Sequence, residues 1–160
     1  MITSANKSII STSFRIVLFL AIFLIAAPVM AQKNRQPDKK PAWQGYHEIT
    51  IGATADQIRE KLGKPMTEDS EGLFYTISET ETVQFLLDTG GKVRAISAIF
   101  SAENPAPPTF ADVFGKFMPA DAREDGSIYK LVRYEDLGYW ISYNRMAGEK
   151  AMVIVLMQKF

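Results

Sequence analysis

The chain has one histidine, His47, and no cysteine. Nucleophilic catalysis of the Ser-His-Asp kind would rest on that single imidazole, and the usual zinc sets of Cys and His cannot be assembled. His47 stands beside Tyr46 in a lead-in segment and reads as a surface or strand-edge residue. Carboxylates cluster at Glu68-Asp69-Glu71, Glu79-Glu81, Glu124-Asp125 and Glu135-Asp136. Two acids at the right separation, one with its pKa raised by burial, carry out glycoside hydrolysis. All of these clusters fall between strand-like runs, where acids are solvated and end strands, so the turn reading outweighs the catalytic one. Glu68-Asp69-Glu71 lacks the spaced Asp/Asn and Gly of a calcium loop. The pairs Gly63-Lys64, Gly91-Lys92 and Gly115-Lys116 lack the spacing and closing Ser or Thr of a phosphate loop. The expectation is a protein that is not an enzyme and uses no metal or cofactor.

The stretch Tyr134-Glu135-Asp136-Leu137-Gly138-Tyr139-Trp140 offers a different chemistry. Tyr, Trp and Arg dominate protein-binding hot spots because they bury much area at little entropic cost. Strand alternation places Trp140 and Tyr134 on one sheet face with Phe74, Arg94 and Lys130, and these five are the candidate partner-binding residues. A register slipped by one residue exchanges the faces and puts the tryptophan in the core. Met146, Met152 and Met157 read as packing residues, and Phe160 as a capping contact of the last strand.

The elements that must position these residues are legible in turn. Thr54 to Pro65 predicts a helix: Thr54 caps it, Gln57 completes a capping box, Ile58 and Leu62 share a face, and Gly63 with Pro65 ends it. Strand-like runs follow at 73–78, 82–88 and 92–100, the last two joined across Thr89-Gly90-Gly91, a hairpin turn. Tyr46 to Ile51 alternates weakly, as a short lead-in strand would. Ser101 to Pro108 holds three prolines and reads as a linker. The sequence of signals then repeats: Thr109 caps a helix bearing Phe110, Val113, Phe114 and Phe117, ended by Pro119, before strand-like runs at 128–134, 139–144 and 151–159. Thr54, Ile58 and Leu62 match Thr109, Val113 and Phe117 at a constant offset, and Gly72 to Ile77 matches Gly126 to Leu131 at nearly the same one. The expected fold class is α+β, with two tandem helix-plus-three-strand units forming one antiparallel sheet and both helices on one face. In that arrangement Leu73, Tyr75, Ile77, Val83, Phe85 and Leu87 face the helices, joined by Tyr129, Leu131, Tyr139, Ile141 and Tyr143. Phe74, Thr76, Gln84, Leu86, Arg94, Lys130, Tyr134, Trp140 and Ser142 fall on the open face.

The amino terminus reads differently from the rest. Lys7 and Arg15 precede an unbroken apolar run from Ile16 to Ala31, with no acid before Asp38. A positive start, a short apolar stretch and a small-residue exit make residues 1–31 a signal peptide. The alternative is an uncleaved anchor, for which sixteen residues fall short of the roughly 20 that a span needs. Residues 32–45 read as a flexible linker, and 46–160 as the folded domain, divided into unit one at 46–100, a linker at 101–108 and unit two at 109–160. Without the signal the chain keeps 16 of its 18 basic residues and all 18 acidic ones. That balance argues against nucleic acid as a partner. The expected location is the periplasm or the extracellular medium, with no stable membrane insertion after cleavage.

The pattern Gly52-x-Thr54-x-x-Gln57-Ile58-x-x-x-Leu62-Gly63-Lys64-Pro65, followed by Phe74-Tyr75 and a hairpin ending Gly90-Gly91-Lys92-Val93, resembles the SmpA/OmlA (BamE-like) family of small outer-membrane assembly lipoproteins. It is also similar to the fold of secreted β-lactamase inhibitor proteins, built from two such units. The match covers 49–100 well and 109–157 loosely. The resemblance implies a non-enzymatic domain that binds a protein across the open face of its sheet. Two departures stand out: the assembly lipoprotein has one unit and a lipid-bearing cysteine, and the inhibitors carry disulfides, whereas this chain has no cysteine. The leading expectation is therefore an exported protein-binding module. An envelope or outer-membrane assembly factor and a small-molecule or lipid carrier are the alternatives.

Overall fold

The computed structural model describes residues 40–116, 118–148 and 151–160. The signal reading of 1–31, the stretch 32–39 of the linker and the helical reading of Phe117 lie outside the described residues.

The first helix, α1 (Ala55–Leu62), forms where its caps dictate. The Gln57 backbone N–H donates to Thr54 Oγ1 at 3.3 Å and the Gln57 side chain accepts from the Thr54 N–H at 2.9 Å, closing the box. Gly63 takes φ 77°, a left-handed conformation open to glycine, and its N–H bonds back to the Arg59 carbonyl. The second helix, α2 (Phe110–Phe114), carries the same box between Thr109 and Asp112, but stops at Gly115 before reaching Pro119.

The strands are β1 (Thr67–Glu68), β2 (Gly72–Ser78), β3 (Glu81–Leu87), β4 (Val93–Phe100), β5 (Ile128–Tyr134), β6 (Tyr139–Arg145) and β7 (Val153–Lys159). They form one seven-stranded antiparallel sheet in the order β1-β2-β3-β4-β7-β6-β5. The fold is α+β. The two-residue β1, which the sequence reading lacks, flanks β2. Hairpin turning between β3 and β4 is held by Asp88, whose Oδ1 accepts from the Gly90 and Lys92 N–H groups.

One sheet face is packed. Leu73, Tyr75, Val83, Phe85, Ile96, Ile141, Tyr143, Val155 and Met157 are buried in a cluster with Ile58 of α1 and Phe110, Val113 and Phe114 of α2. Burying each large side chain of this kind contributes about 1.5–3 kcal/mol. Ile77, expected in that set, is exposed, because the β2–β3 register shifts between Thr76 and Ser78 as the hairpin ends. The segment 40–53 fills the same layer. Pro41 is buried, the Trp43 N–H donates to the Val113 carbonyl, and Tyr46 and Ile49 join the core. Ordered packing thus reaches back to Pro41, inside the segment 32–45 expected to be a linker. The lead-in strand expected over 46–51 is instead a tight turn closed by an isolated Tyr46–Ile49 bridge, with His47 and Glu48 at φ 46° and 64°. Non-glycine residues in that conformation cost roughly 1 kcal/mol or more each. The buried Tyr46 hydroxyl, donating to Glu81 at 2.6 Å, holds the turn against that cost.

The second hairpin differs from the expectation in one respect. In β5 the residues facing the core are Ile128, Lys130, Val132 and Tyr134, not Tyr129 and Leu131. The register fixes this: Val132 pairs with Ile141 and Lys130 with Tyr143, both core residues, while Leu131 pairs with Ser142. Residues directly opposed across an antiparallel ladder share a face. Apolar residues occupy both parities of β5, so alternation alone does not choose between them.

Candidate functional site

The sheet face turned away from the helices is the most distinctive surface of the described residues. Three cross-strand rows make it up. The central row runs Phe74, Gln84, Ser97, Leu156, Ser142, Leu131 from β2 to β5. On one side lies Thr76, Thr82, Ile99, Ile154, Asn144, Tyr129, and on the other Gly72, Leu86, Ala95, Gln158, Trp140, Arg133. Ala95 and Ser142 are buried between their neighbours, but none of the large side chains in these rows belongs to the core cluster, and the apolar residues of both helices lie on the other side of the sheet. Tyr129 and Leu131 are 45% and 42% exposed.

An antiparallel sheet with one solvated face normally alternates apolar-in with charged or polar-out. Here the outward positions include Phe74, Leu86, Ile99, Ile154, Leu156, Trp140 and Leu131, with Ser, Thr, Asn and Gln between them. No carboxylate and no lysine occurs in the rows, and Arg133 is their one charged residue. Arg133 is neutralised within the chain: its Nε donates to Glu135 at 2.9 Å and its guanidinium lies 4.3 Å from the Phe160 ring centroid. A face this rich in apolar side chains and this poor in charge departs from the usual solvated face of an antiparallel sheet.

The candidate binding residues divide. Trp140 and Phe74 are half-buried members of this face. Arg94 falls at a bulge between β3 and β4, where pairing passes from Leu86–Ala95 to Leu87–Val93 and leaves it without a cross-strand partner; its Nε donates to the Leu87 carbonyl at 3.1 Å. Tyr134 and Lys130 are corrected. Tyr134 pairs with Tyr139, is 5% exposed and packs in the core with its ring 6.0 Å from that of Tyr139. Lys130 shares that face, and its ammonium pairs with Asp121. The long alkyl stem of Lys130 lets it start on the core side and bring its charge to the edge. In place of these two, the structure puts Tyr129, Leu131 and Arg133 on the face of Trp140, with Arg133 directly opposite it. The sequence of β5 carries no signal that separates the two parities, since Lys130 stands on one and Arg133 on the other.

The remaining titratable groups occupy structural positions. Glu68 pairs with Arg59, Asp69 Oδ1 accepts from the Glu71 and Gly72 N–H groups, and Asp125 Oδ1 accepts from the Ser127 N–H. Hydrogen bonds hold Glu48, Asp88 and Asp112 below the ordinary carboxylate range, from Lys61, from the Lys92 and Gly90 backbone, and from Thr109 respectively. Burial, reinforced by the hydrogen bond to and charge of Glu81, pushes the Tyr46 hydroxyl well above the usual tyrosine range. His47 is exposed, with its ring 4.5 Å from that of Tyr46, on a cleft of about 540 Å³ that it shares with Lys61, Lys64 and Tyr75. Among the described residues no group of three or more His, Cys, Asp or Glu side chains is placed to hold a metal ion. No helix among them is long and apolar enough to cross a membrane.

No protein-family model matches the chain, and no curated protein matches it. Among solved structures, the chain is similar to the crystal structure of a DUF4309 family protein (YjgB) from Bacillus subtilis subsp. subtilis strain 168, at 12% identity and a TM-score of 0.46, over 71% of this chain and 83% of that one.

Proposed function

We propose that this protein is an exported, non-enzymatic binding module that engages a protein partner through the open face of its sheet. The observation that carries the reading is the composition of that face: large apolar and aromatic side chains, with Trp140 among them, interleaved with small polar ones and lying outside the core. Trp140 with Arg133 opposite it, and Tyr129 further along the same face, are of the residue types that concentrate binding energy. The amino-terminal pattern of Lys7, Arg15 and the apolar run to Ala31 supports export to the periplasm or the extracellular medium. Two tandem units are the arrangement we favour for the fold. A helix with a Thr-led capping box precedes each three-stranded meander, β2-β3-β4 and β5-β6-β7, and the two meanders meet at the β4–β7 pair.

Affinity capture from envelope extract tests the reading, with the native protein run beside Trp140→Ala. A protein retained by the native form and lost by a variant of unchanged melting temperature supports it. Equal recovery by both forms removes the open face as the site.

A further inference from the structure

We propose that β5 is a strand-addition site, whose outer edge takes an extended, acid-bearing segment of a partner protein as a further strand of the sheet. This surface is separate from the open face and goes beyond that reading.

β5 ends the sheet. In an antiparallel ladder the N–H and C=O of one residue point to the same side, and successive residues alternate between the two sides. Two bonds fix which residues of β5 point outward. The Tyr134 carbonyl accepts from the Gly138 N–H at 3.0 Å, inside the β5–β6 hairpin. The Ser127 carbonyl, of the other parity, accepts from the Arg123 N–H at 2.8 Å on the far side, where Ala122 bridges Ile128. Lys130 and Val132 therefore bond to β6, and Leu131 and Arg133 turn both backbone groups outward. No hydrogen bond among the described residues fills those outward groups.

Nothing blunts this edge beyond the bridge at Ile128. Sheets commonly protect their edges with very short strands, prolines or bulges. At the opposite edge β1 has two residues. β5 has seven, contains no proline and pairs with β6 without a register shift. The structural complement of a row of outward N–H and C=O groups is another strand, the basis of peptide recognition by β-augmentation.

Charge names the occupant. β5 holds Lys130 and Arg133 and no acid. Lys130 pairs with Asp121, whereas Glu135 takes only the Nε of Arg133, and its Nη groups make no hydrogen bond among the described residues. A residue placed opposite Arg133 shares its face, where a carboxylate is favoured and an ammonium disfavoured. The chain's own segment 32–39 is a poor complement, with Lys33, Arg35 and Lys39 against Asp38, and with Pro37 between. A second copy's β5 brings the same cations and no acid, and one strand pair falls far short of the about 800 Å² per partner of a stable dimer.

Amide hydrogen exchange of the purified protein, read by NMR, tests the edge first. The Leu131 and Arg133 amides should exchange about a hundredfold or more faster than those of Lys130 and Val132. The probe is then the peptide acetyl-Thr-Glu-Val-Val-Thr-Thr-amide, whose antiparallel register sets Glu opposite Arg133 and the second Val opposite Leu131. Saturating peptide should slow both outward amides about tenfold or more, with a Kd below about 1 mM. N-methylation of the second Val and Leu131→Pro each remove one edge donor and should weaken binding about tenfold. Proline is tolerated on an edge strand where its missing N–H faces solvent, and the melting temperature checks that this variant folds. A peptide with Lys in place of Glu should bind about threefold or more weaker, and Arg133→Glu should reverse that preference. Protection of the outward amides in the free protein overturns the proposal, and protection that grows with protein concentration assigns the edge to a second copy instead. Failure of the Glu peptide to saturate below about 1 mM, or equal affinity for the Glu and Lys peptides, overturns it as well. The Trp140 capture experiment reads the open face, so either reading can fail without the other.

Discussion

Arg133 stands directly across the β5–β6 ladder from Trp140, and Tyr134 stands across from Tyr139. Neighbours in sequence, Arg133 and Tyr134 therefore face opposite sides of the sheet, one towards the open surface and one into the core. Trp140, on the open side, and Tyr134, on the core side, should respond differently to truncation. Trp140→Ala should lose about 2 kcal/mol or more of partner binding, roughly thirtyfold in Kd, with little change in melting temperature. Tyr134→Ala should destabilise the fold by about 3–5 kcal/mol through the cavity it leaves. Capture assays and denaturant titrations of the two variants check the assignment, and a reversal of the two effects would show the register of β5 to be shifted.

The Tyr46–Glu81 hydrogen bond ties the strained turn at His47 and Glu48 to the start of β3. Tyr46→Phe keeps the ring in its place against Phe85 and removes only the donor. A loss of about 1.5–3 kcal/mol is expected in urea unfolding, the usual value for a hydrogen bond to a charged group. No change in midpoint would mean that the turn is held by packing alone.

Gly72 offers a steric test of the β2–β3 pairing. A Cβ there would lie 2.0 Å from the backbone carbonyl oxygen of Phe85, so Gly72→Ala must push the two strands apart. At Gly90 the nearest obstacle is the Asp88 side chain at 3.2 Å, which can rotate. Thermal melts should show a drop of several degrees for Gly72→Ala and a much smaller one for Gly90→Ala. Equal melting temperatures would argue against the close approach of β2 to β3.

Much of this architecture is legible in the sequence because local chemistry specifies it. Thr54 with Gln57, the glycines at 63 and 91, and the strand-forming runs at 73–77 and 83–87 each determine an element without help from distant residues. What is not legible depends on tertiary context. β5 carries apolar side chains on both parities, and only its pairing with β6 decides that Val132 is inside and Leu131 outside. The turn at Tyr46 looks like a strand because its left-handed residues are His47 and Glu48, not glycines, and the compensating partner, Glu81, is distant in sequence. The open face is recognisable through Trp140 and Phe74. Its central strands are harder to assign, because Ser97, Ile99, Ile154 and Leu156 lie in β4 and β7, where the other parity is equally apolar.

The acid and alkaline limits of stability should arise from different groups. Asp88 is held below the ordinary carboxylate pKa by the Lys92 and Gly90 backbone, and Asp112 by the Thr109 side chain and backbone, so both bind protons less readily folded than unfolded. Their contribution is present above the unfolded carboxylate value of about 4 and is lost as pH falls through the lower folded values. Tyr46 behaves in the opposite sense. Burial first, and Glu81 second, raise its pKa, so its contribution is complete below the unfolded tyrosine value of about 10 and declines as pH rises above it. Melting temperature should therefore hold a plateau between about pH 5 and about pH 9 and fall on both sides. Asp112→Ala, which removes the N3 half of the α2 capping box, should flatten the acid limb and leave the alkaline limb unchanged. Tyr46→Phe should do the reverse. Differential scanning calorimetry across the range distinguishes the two, and an alkaline limb of undiminished slope in Tyr46→Phe would assign it to Tyr75, Tyr139 or Tyr143, whose hydroxyls burial also raises.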